Sequence, residues 1–247
     1  MRAAIFVTCL GEHFFADACA DAVRLLRHLG VEVDFPAAQT CCGQPAYNAG
    51  HLREARAMAS HTLETFRDAE YVVLPSGSCA GMMRSILPRL VADDERAGAE
   101  ALADRTYELA HFIVDVLGVR ELGRGLEGLR VAYHHGCHAL RELGAHDQPI
   151  ALLVGAGADV VRWEADEECC GFGGLFAVKL PDVSTAMADR KLDTLPVADL
   201  VTSADGGCLL QMSGRAEHRG SSAEFRHLAS VLWAATGRGT ARTRRAS

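Results

Sequence analysis

Two stretches of this sequence, QTCCGQP at 39–45 and EECCGFG at 167–173, each place a pair of adjacent thiols before a glycine. Deprotonated thiols are soft metal ligands and good nucleophiles, so a repeated pair asks for a chemical reason. The other cysteines supply it. Cys9 and Cys137 lie 128 residues apart, as do Cys41 and Cys169, and Cys42 and Cys170; Cys79 and Cys208 lie 129 apart. Eight of the nine cysteines therefore form two superimposable sets, and only Cys19 lacks a counterpart, Asp147 standing at the matching position. The chain reads as a tandem duplication with four cysteines to each half.

The elements that must position these thiols repeat with them. FVTC at 6–9 parallels HHGC at 134–137, and SGSC at 76–79 parallels DGGC at 205–208. Short β-rich runs precede the cysteines: AIFV, VEVDF and YVVLP in the first half, then LRVAY, DVVRW and ADLVT in the second. Between them lie amphipathic stretches such as ADAVRLLRHL at 20–29, whose apolar residues recur at helical spacing. Each half thus reads as strand, helix, strand, cysteine loop, helix, strand, cysteine loop, helix. That alternation predicts an α/β fold of two tandem parallel-sheet halves, with the cysteine loops at the carboxyl ends of the strands, where such sheets collect ligands. The expected divisions are residues 1–122, 123–237 and a basic tail at 238–247, with GRGLEGLR at 123–130 marking the boundary between halves. VADDERAGAE at 91–100 reads as a solvated charged turn, AHFIVDVL at 110–117 as helix, and AEFRHLASVLWAA at 223–235 as a C-terminal core helix.

Four converging cysteines hold either zinc or an iron–sulfur cluster. Structural zinc usually takes two short knuckles, each giving two tetrahedral corners, and adjacent cysteines suit that poorly. A polynuclear cluster offers several irons to neighbouring thiolates, so the spacing favours iron–sulfur chemistry. A vicinal disulfide is strained, and no C-x-x-C follows a βαβ signal, which argues against thiol–disulfide exchange. Cys19 stands apart, on a predicted helix among alanines, and reads as a packed core residue.

Composition excludes other classes. Apolar residues make up 49 % and charged residues 23 %, as in an ordinary globular chain. A formal charge of −7 is wrong for a nucleic-acid surface. MRAAIFVTCL is too short an apolar run for a signal peptide, and no window reaches a membrane span. A cytoplasmic location is expected, where cysteines serve as ligands more often than as disulfides. The glycines at 171–174 lack a phosphate-loop frame, and no dinucleotide fingerprint follows the first strand.

FVTCLGEHF, VDFPAAQTCCGQPAYNAGH, PSGSCAGM, YHHGCHALRELG, ECCGFGGLFAVKLP and ADGGCLLQMSGR, taken in order, resemble the duplicated CCG cysteine-rich domain. That domain occurs in heterodisulfide reductases, in glycolate oxidase iron–sulfur subunits and in the lactate-utilisation protein A family, and the chain is most similar to the last. The resemblance covers roughly residues 1 to 235. It implies an iron–sulfur electron-transfer subunit, rather than a self-sufficient enzyme, acting in L-lactate oxidation to pyruvate. Its partners would be a ferredoxin-like iron–sulfur protein and a third subunit. By position, Cys9, Cys41, Cys42 and Cys79 would bind one 4Fe-4S cluster, and Cys137, Cys169, Cys170 and Cys208 a second. The longer family pattern ends each repeat with C-x-x-C, whereas here the last positions are Met82 and Gln211. The chemistry of a five-thiol cluster, and heterodisulfide reduction with it, is therefore not carried over. His134, His135 and His138 flank Cys137 and read either as groups that ligate iron, tune a cluster by hydrogen bonding or bind a carboxylate substrate, or as strand-end and cap residues at a polar edge. Lys179 follows the second CCG and reads either as a charge that neutralises a cluster or a lactate carboxylate, or as a solvated residue.

Overall fold

The computed structural model describes residues 1–239, so residues 240–247 of the basic C-terminal run lie outside the described residues. Two four-stranded parallel sheets form the frame. The first contains β1 (Arg2–Ile5), β2 (Glu32–Asp34), β3 (Tyr71–Leu74) and β4 (Thr106–Glu108), in the order β2-β1-β3-β4. The second contains β5 (Arg130–Tyr133), β6 (Asp159–Val160), β7 (Leu200–Ser203) and β8 (Phe225–His227), in the order β6-β5-β7-β8. Every pairing is parallel, and each strand of one sheet has its equivalent in the other.

Both faces of each sheet are buried, which explains why the central strands read as apolar runs. Side chains alternate between two cores with the period of two that a strand imposes. Ala3, Ile5 and Val73 face one core, which also takes Val131, Tyr133 and Leu200 from the other sheet. Ala4, Phe6, Val72 and Leu74 face a core whose buried residues all come from the first half, with Leu143 of the second half packed against it, and Ala132 and Val201 face a core of the second half alone. The shared core therefore lies between the sheets. Helices from both halves close it: Leu25 and Leu26 of Ala16–His28, Leu152 and Leu153 of Asp147–Gly155, and Val231 and Leu232 of Leu228–Ala235. The first and last of these helices pack together, and Ser230 Oγ donates to Asp21 Oδ2 across them at 2.8 Å.

The halves also meet at their strand ends. Asp205 follows β7 and Ser76 follows β3 in the corresponding place; Ser76 Oγ donates to Asp205 Oδ1 at 3.2 Å, and the Ser78 amide donates to it at 2.8 Å. Glycine makes the approach feasible. A Cβ on Gly136 would lie 1.9 Å from Asp205 Oδ2, and one on Gly77 would lie 2.6 Å from the Ala139 Cβ.

Three segments differ from the sequence reading. Phe225–His227 is a strand, and the final helix begins only at Leu228. β4 and β8 are three-residue edge strands, and TYE and FRH carry charged residues and no alternation long enough to show as β. The 91–100 segment turns into helix at Arg96, and Ala99 and Leu102 of Arg96–Asp104 are buried in the first-half core.

β4 and β8 each end on a buried side chain that caps the helix after it. Glu108 accepts from the Ala110 and His111 amides at 2.8 and 3.2 Å, and His227 Nδ1 accepts from the Ala229 amide at 3.2 Å. Burial pushes the Glu108 carboxyl up to about 8 and the His227 imidazole down to about 4. In the unfolded chain Glu108 ionises near 4.5, so between about 4.5 and 8 the folded form holds the extra proton and loses stability as pH rises. Glu108→Gln keeps an accepting oxygen and removes the titration. The stability of Glu108→Gln relative to the parent, followed by chemical unfolding, should therefore grow from pH 5 to pH 8 by up to about 1.4 kcal/mol per unit. Gly136→Ala should cost roughly 2–3 kcal/mol in the same assay, since the Asp205 carboxylate held by Ser76 and Ser78 has to move. Gly214→Ala, whose added Cβ meets nothing within 4 Å, should stay within about 0.5 kcal/mol of the parent or exceed it.

Candidate metal centres

The parallel frame brings three loops of each half to one sheet edge. In the first half Cys9 follows β1, Cys41 and Cys42 follow β2, and Cys79 follows β3; because β1 lies between β2 and β3, the loops converge. Cys41 Sγ lies 3.7 Å from Cys9 Sγ, and Cys42 Sγ lies 3.3 Å from Cys79 Sγ. In the second half Cys170 Sγ lies 3.0 Å from Cys208 Sγ, and the Cys169 thiol interacts with those of Cys137 and Cys170. All eight are free thiols, from half-buried to buried. The structure thus gathers the four repeated cysteines of each half into contact and leaves Cys19 in the core, where burial raises its thiol to about 11.

Local backbone fixes each thiol. Gly43 and Gly171 turn the chain directly after the cysteine pairs with φ of 85° and 84°, a conformation open to glycine at little strain. Their amides hydrogen-bond the first thiol of each pair. Thr8 caps the helix that begins at Cys9, and Ser76 caps the Gly77–Gly81 helix by accepting from the Cys79 amide at 3.3 Å. Cys208 lies in the first turn of the Gly206–His218 helix.

Electrostatics divides the thiols of each set. Hydrogen bonds from Cys42 and Cys9 hold Cys41 down to about 3, and those from Cys137 and Cys170 hold Cys169 down to about 2. The donors move the other way: Cys9, Cys42, Cys137 and Cys170 are all raised, first by the hydrogen bond to the ionised neighbour and then by burial. Ionising all four thiols of a set at this spacing takes a multiply charged cation among them. Soft, closely grouped sulfur donors of this kind can hold a metal cluster.

The surroundings of the two sets differ. Behind the first, Phe6 stacks on Phe66 with ring centroids 5.3 Å apart, and Leu63 is buried beside them. Gln39 pins this CCG loop to β1, accepting from the Val7 amide at 2.7 Å and donating to the Ile5 carbonyl at 3.2 Å. In the second half His134 takes the place of Phe6 and Lys191 that of Leu63. Lys191 is fully buried; its Nζ donates to the carbonyls of Ala165, Asp166 and Glu168 and lies 4.5 Å from the Trp163 ring centroid. Burial lowers the Lys191 ammonium to about 8, with the sulfurs of Cys170 and Cys208 opposing that shift. Burial and then the Lys191 charge lower His134 to about 3, so its imidazole is neutral. Among the described residues, the ligand atoms of His134, Cys170 and Cys208 all lie within 4.8 Å of one another.

The remaining candidates are placed as follows. His135 is buried and stacks on His146 with centroids 4.7 Å apart, His138 precedes a π-helical turn over Ala139–Leu143, and Lys179 is exposed. Met82 is buried in the first-half core, and Gln211 donates to Ser184 Oγ at 2.8 Å. Lys191 and Asp205 escaped the sequence reading. MADRKLD looks like a solvated helix face, and only superposing the halves, which sets Lys191 on Leu63, betrays the buried charge.

Lys191→Met should remove one donor from each of three carbonyls of the 165–168 turn, leaving Ala165 and Asp166 with backbone donors, and cost about 1–3 kcal/mol. Metal bound by the second set should fall in this variant while the first set keeps its own, as read from metal content and from the optical spectra of variants retaining one set each.

The CCG cysteine-rich domain matches the chain twice, at residues 3–84 and 131–213. Lactate utilization protein A of Geobacillus sp. (strain WCH70) is 44 % identical over 94 % of this chain and 99 % of its own length. The protein of the same name from Anoxybacillus flavithermus is 44 % identical over 94 % and 99 %, and that of Bacillus cereus (strain G9842) over 94 % and 98 %. With the duplicated domain, the full set of repeated cysteines and this end-to-end similarity, the chain belongs to the lactate utilization protein A family of CCG cysteine-rich proteins.

Proposed function

We infer that this chain is the iron–sulfur electron-transfer subunit of a lactate-utilisation complex that oxidises L-lactate to pyruvate. The observation that carries this reading is the contact among four thiols from three separate strand ends, made once in each half. The relatives named for lactate utilisation, similar over nearly their whole length, supply the substrate. In this reading Cys9, Cys41, Cys42 and Cys79 hold one 4Fe-4S cluster and Cys137, Cys169, Cys170 and Cys208 the other, with the halves divided at residues 122 and 123. A bound cluster supplies a one-electron carrier. The chain's own part is to keep the thiols grouped, to shield them with Phe6, Phe66 and Trp163, and to present half-buried Cys9, Cys41, Cys137 and Cys169 toward the edge where electrons enter and leave.

Electron transfer of this kind requires partners, so the reading places the chain with further lactate-utilisation subunits, including a ferredoxin-like iron–sulfur protein and a third component. None of the helices among the described residues is long and apolar enough to cross a membrane. Reduced thiols fit a cytoplasmic location. A second reading, a zinc-holding assembly module, draws on the mixed His134, Cys170 and Cys208 set, which suits zinc as well as iron.

Anaerobic purification followed by iron, zinc and acid-labile sulfide analysis separates the two. Iron with comparable labile sulfide is expected, and zinc without sulfide would end the electron-carrier reading. Cys42→Ala should remove about half of the bound iron and Cys170→Ala the other half. Equal loss of both centres in either variant would contradict two independent sites.

A further inference from the structure

His134 lies at the end of β5, fully buried, and its backbone repeats the placing of Phe6. The His134 amide donates to the Thr202 carbonyl at 2.8 Å, as the Phe6 amide donates to the Val73 carbonyl at 2.9 Å. At this shared position the first half has a phenyl ring and the second an imidazole. His134 Nδ1 lies 3.0 Å from the Asp166 carbonyl oxygen. A carbonyl only accepts, so Nδ1 carries the ring hydrogen and Nε2 presents a bare lone pair. That Nε2 is buried and has no hydrogen-bond partner among the described residues. An orphaned buried acceptor is costly to keep, and His134 is the residue that brings a ring nitrogen within 4.8 Å of the sulfurs of Cys170 and Cys208.

We propose that His134 Nε2 is a metal ligand of the second centre, which is therefore a mixed nitrogen and sulfur site, while the first centre is held by sulfur alone. The proposal rests on the reading of these cysteines as metal ligands and adds a donor to it. A single ion with bonds of about 2.0–2.1 Å to nitrogen and about 2.3 Å to sulfur spaces its ligand atoms roughly 3.5–4 Å apart. The Cys170 and Cys208 sulfurs lie 3.0 Å apart and the three ligand atoms within 4.8 Å of one another, so shifts of under about 1 Å bring the set to that spacing. The Nδ1 bond to a backbone carbonyl is the outer contact that orients a ligating imidazole and fixes its tautomer. Lys191 and the His135 amide hold that same carbonyl, at 3.3 and 3.0 Å, so the ring is anchored from behind. Donor against sulfide is the competing role for a histidine beside a cluster, and it needs a hydrogen on Nε2; the Asp166 contact assigns the hydrogen to the other nitrogen. The second half thus brings five donors to its centre, one of them in a place that sequence inspection of the cysteines alone passes over.

The test uses the full chain, purified anaerobically with its metal, with only histidine labelled with ¹⁵N. Pulsed EPR of the reduced protein should show strong coupling to a histidine nitrogen. The coupling should persist in Cys42→Ala, which lacks the first centre, and in His138→Ala, and should vanish in His134→Phe, which copies Phe6. Absence of a histidine coupling in the labelled parent, or its survival in His134→Phe, overturns the proposal even where iron and sulfide analysis upholds the cluster. If His134→Phe fails to fold, His134→Gln takes its place, and absence of the coupling in the parent still overturns the proposal. Should the metal prove to be zinc, the iron–sulfur reading falls while the ligand is decided at the zinc X-ray absorption edge, where a nitrogen scatterer lost in His134→Phe upholds it and sulfur alone overturns it.

Discussion

Repulsion among sulfurs is the constraint on which this structure is arranged. Two thiolates about 3.5 Å apart repel by about 5 kcal/mol at an effective dielectric of about 20, so four cannot ionise together without a cation among them. Hydrogen bonds within each set ease this locally, holding the Cys41 and Cys169 thiols down while Cys9, Cys42, Cys137 and Cys170 are raised. A protein gains nothing in stability from such an array, since alanine or serine would pack there without the strain of crowded polarisable groups. The glycine turns at 43 and 171, the capped helix starts at Cys9 and Gly77, and the Gln39 and Lys191 contacts to the two CCG loops all serve to hold together groups that would otherwise separate. That geometry makes sense as a binding site built ahead of its metal.

The frame that performs this task is rigid because the halves complete one another. Each sheet leaves one face to a core that neither half fills alone, and the helix over Ala16–His28 is covered by the helix over Leu228–Ala235 from the far end of the chain. Burying both sheet faces removes the open surface that would let the strand ends drift. The contact from Ser76 and Ser78 to Asp205 then ties the two cysteine edges to each other. A duplicated unit needs such a contact at its symmetry-related ends, and here the matching residues differ, serine in one half and aspartate in the other, so that donor meets acceptor. Two serines would make a weaker pair, and two aspartates would repel.

Much of this was legible in the sequence because the cysteine spacing is a covalent record of the duplication. Offsets of 128 and 129 residues set the halves in register, and the β-rich runs before the cysteines located six of the eight strands. β4 and β8 were not legible: three residues carry too little periodicity, and FRH at 225–227 runs into an apolar helix that absorbs it. The polar surroundings of the second site escaped for a different reason. A buried lysine and a solvated one have the same letter, and the burial of Lys191 follows from three carbonyls brought together only by the 165–168 turn.

Comparison of the halves recovers part of what single positions hide. Where a duplication has kept its frame, paired positions share a backbone environment, so a change of side-chain chemistry between them cannot be attributed to the fold. Phe6 and Leu63 show that the frame accepts an apolar wall behind the thiols. His134 and Lys191 occupy the same wall although burying an imidazole and an ammonium is unfavourable, and the desolvation of both is evident in their lowered proton affinities. An apolar pair in the same wall would cost less to bury. The polar pair suits a neighbour that interacts with a lone pair on one side and carries negative charge toward the other. A metal centre ligated by thiolates meets both conditions at once.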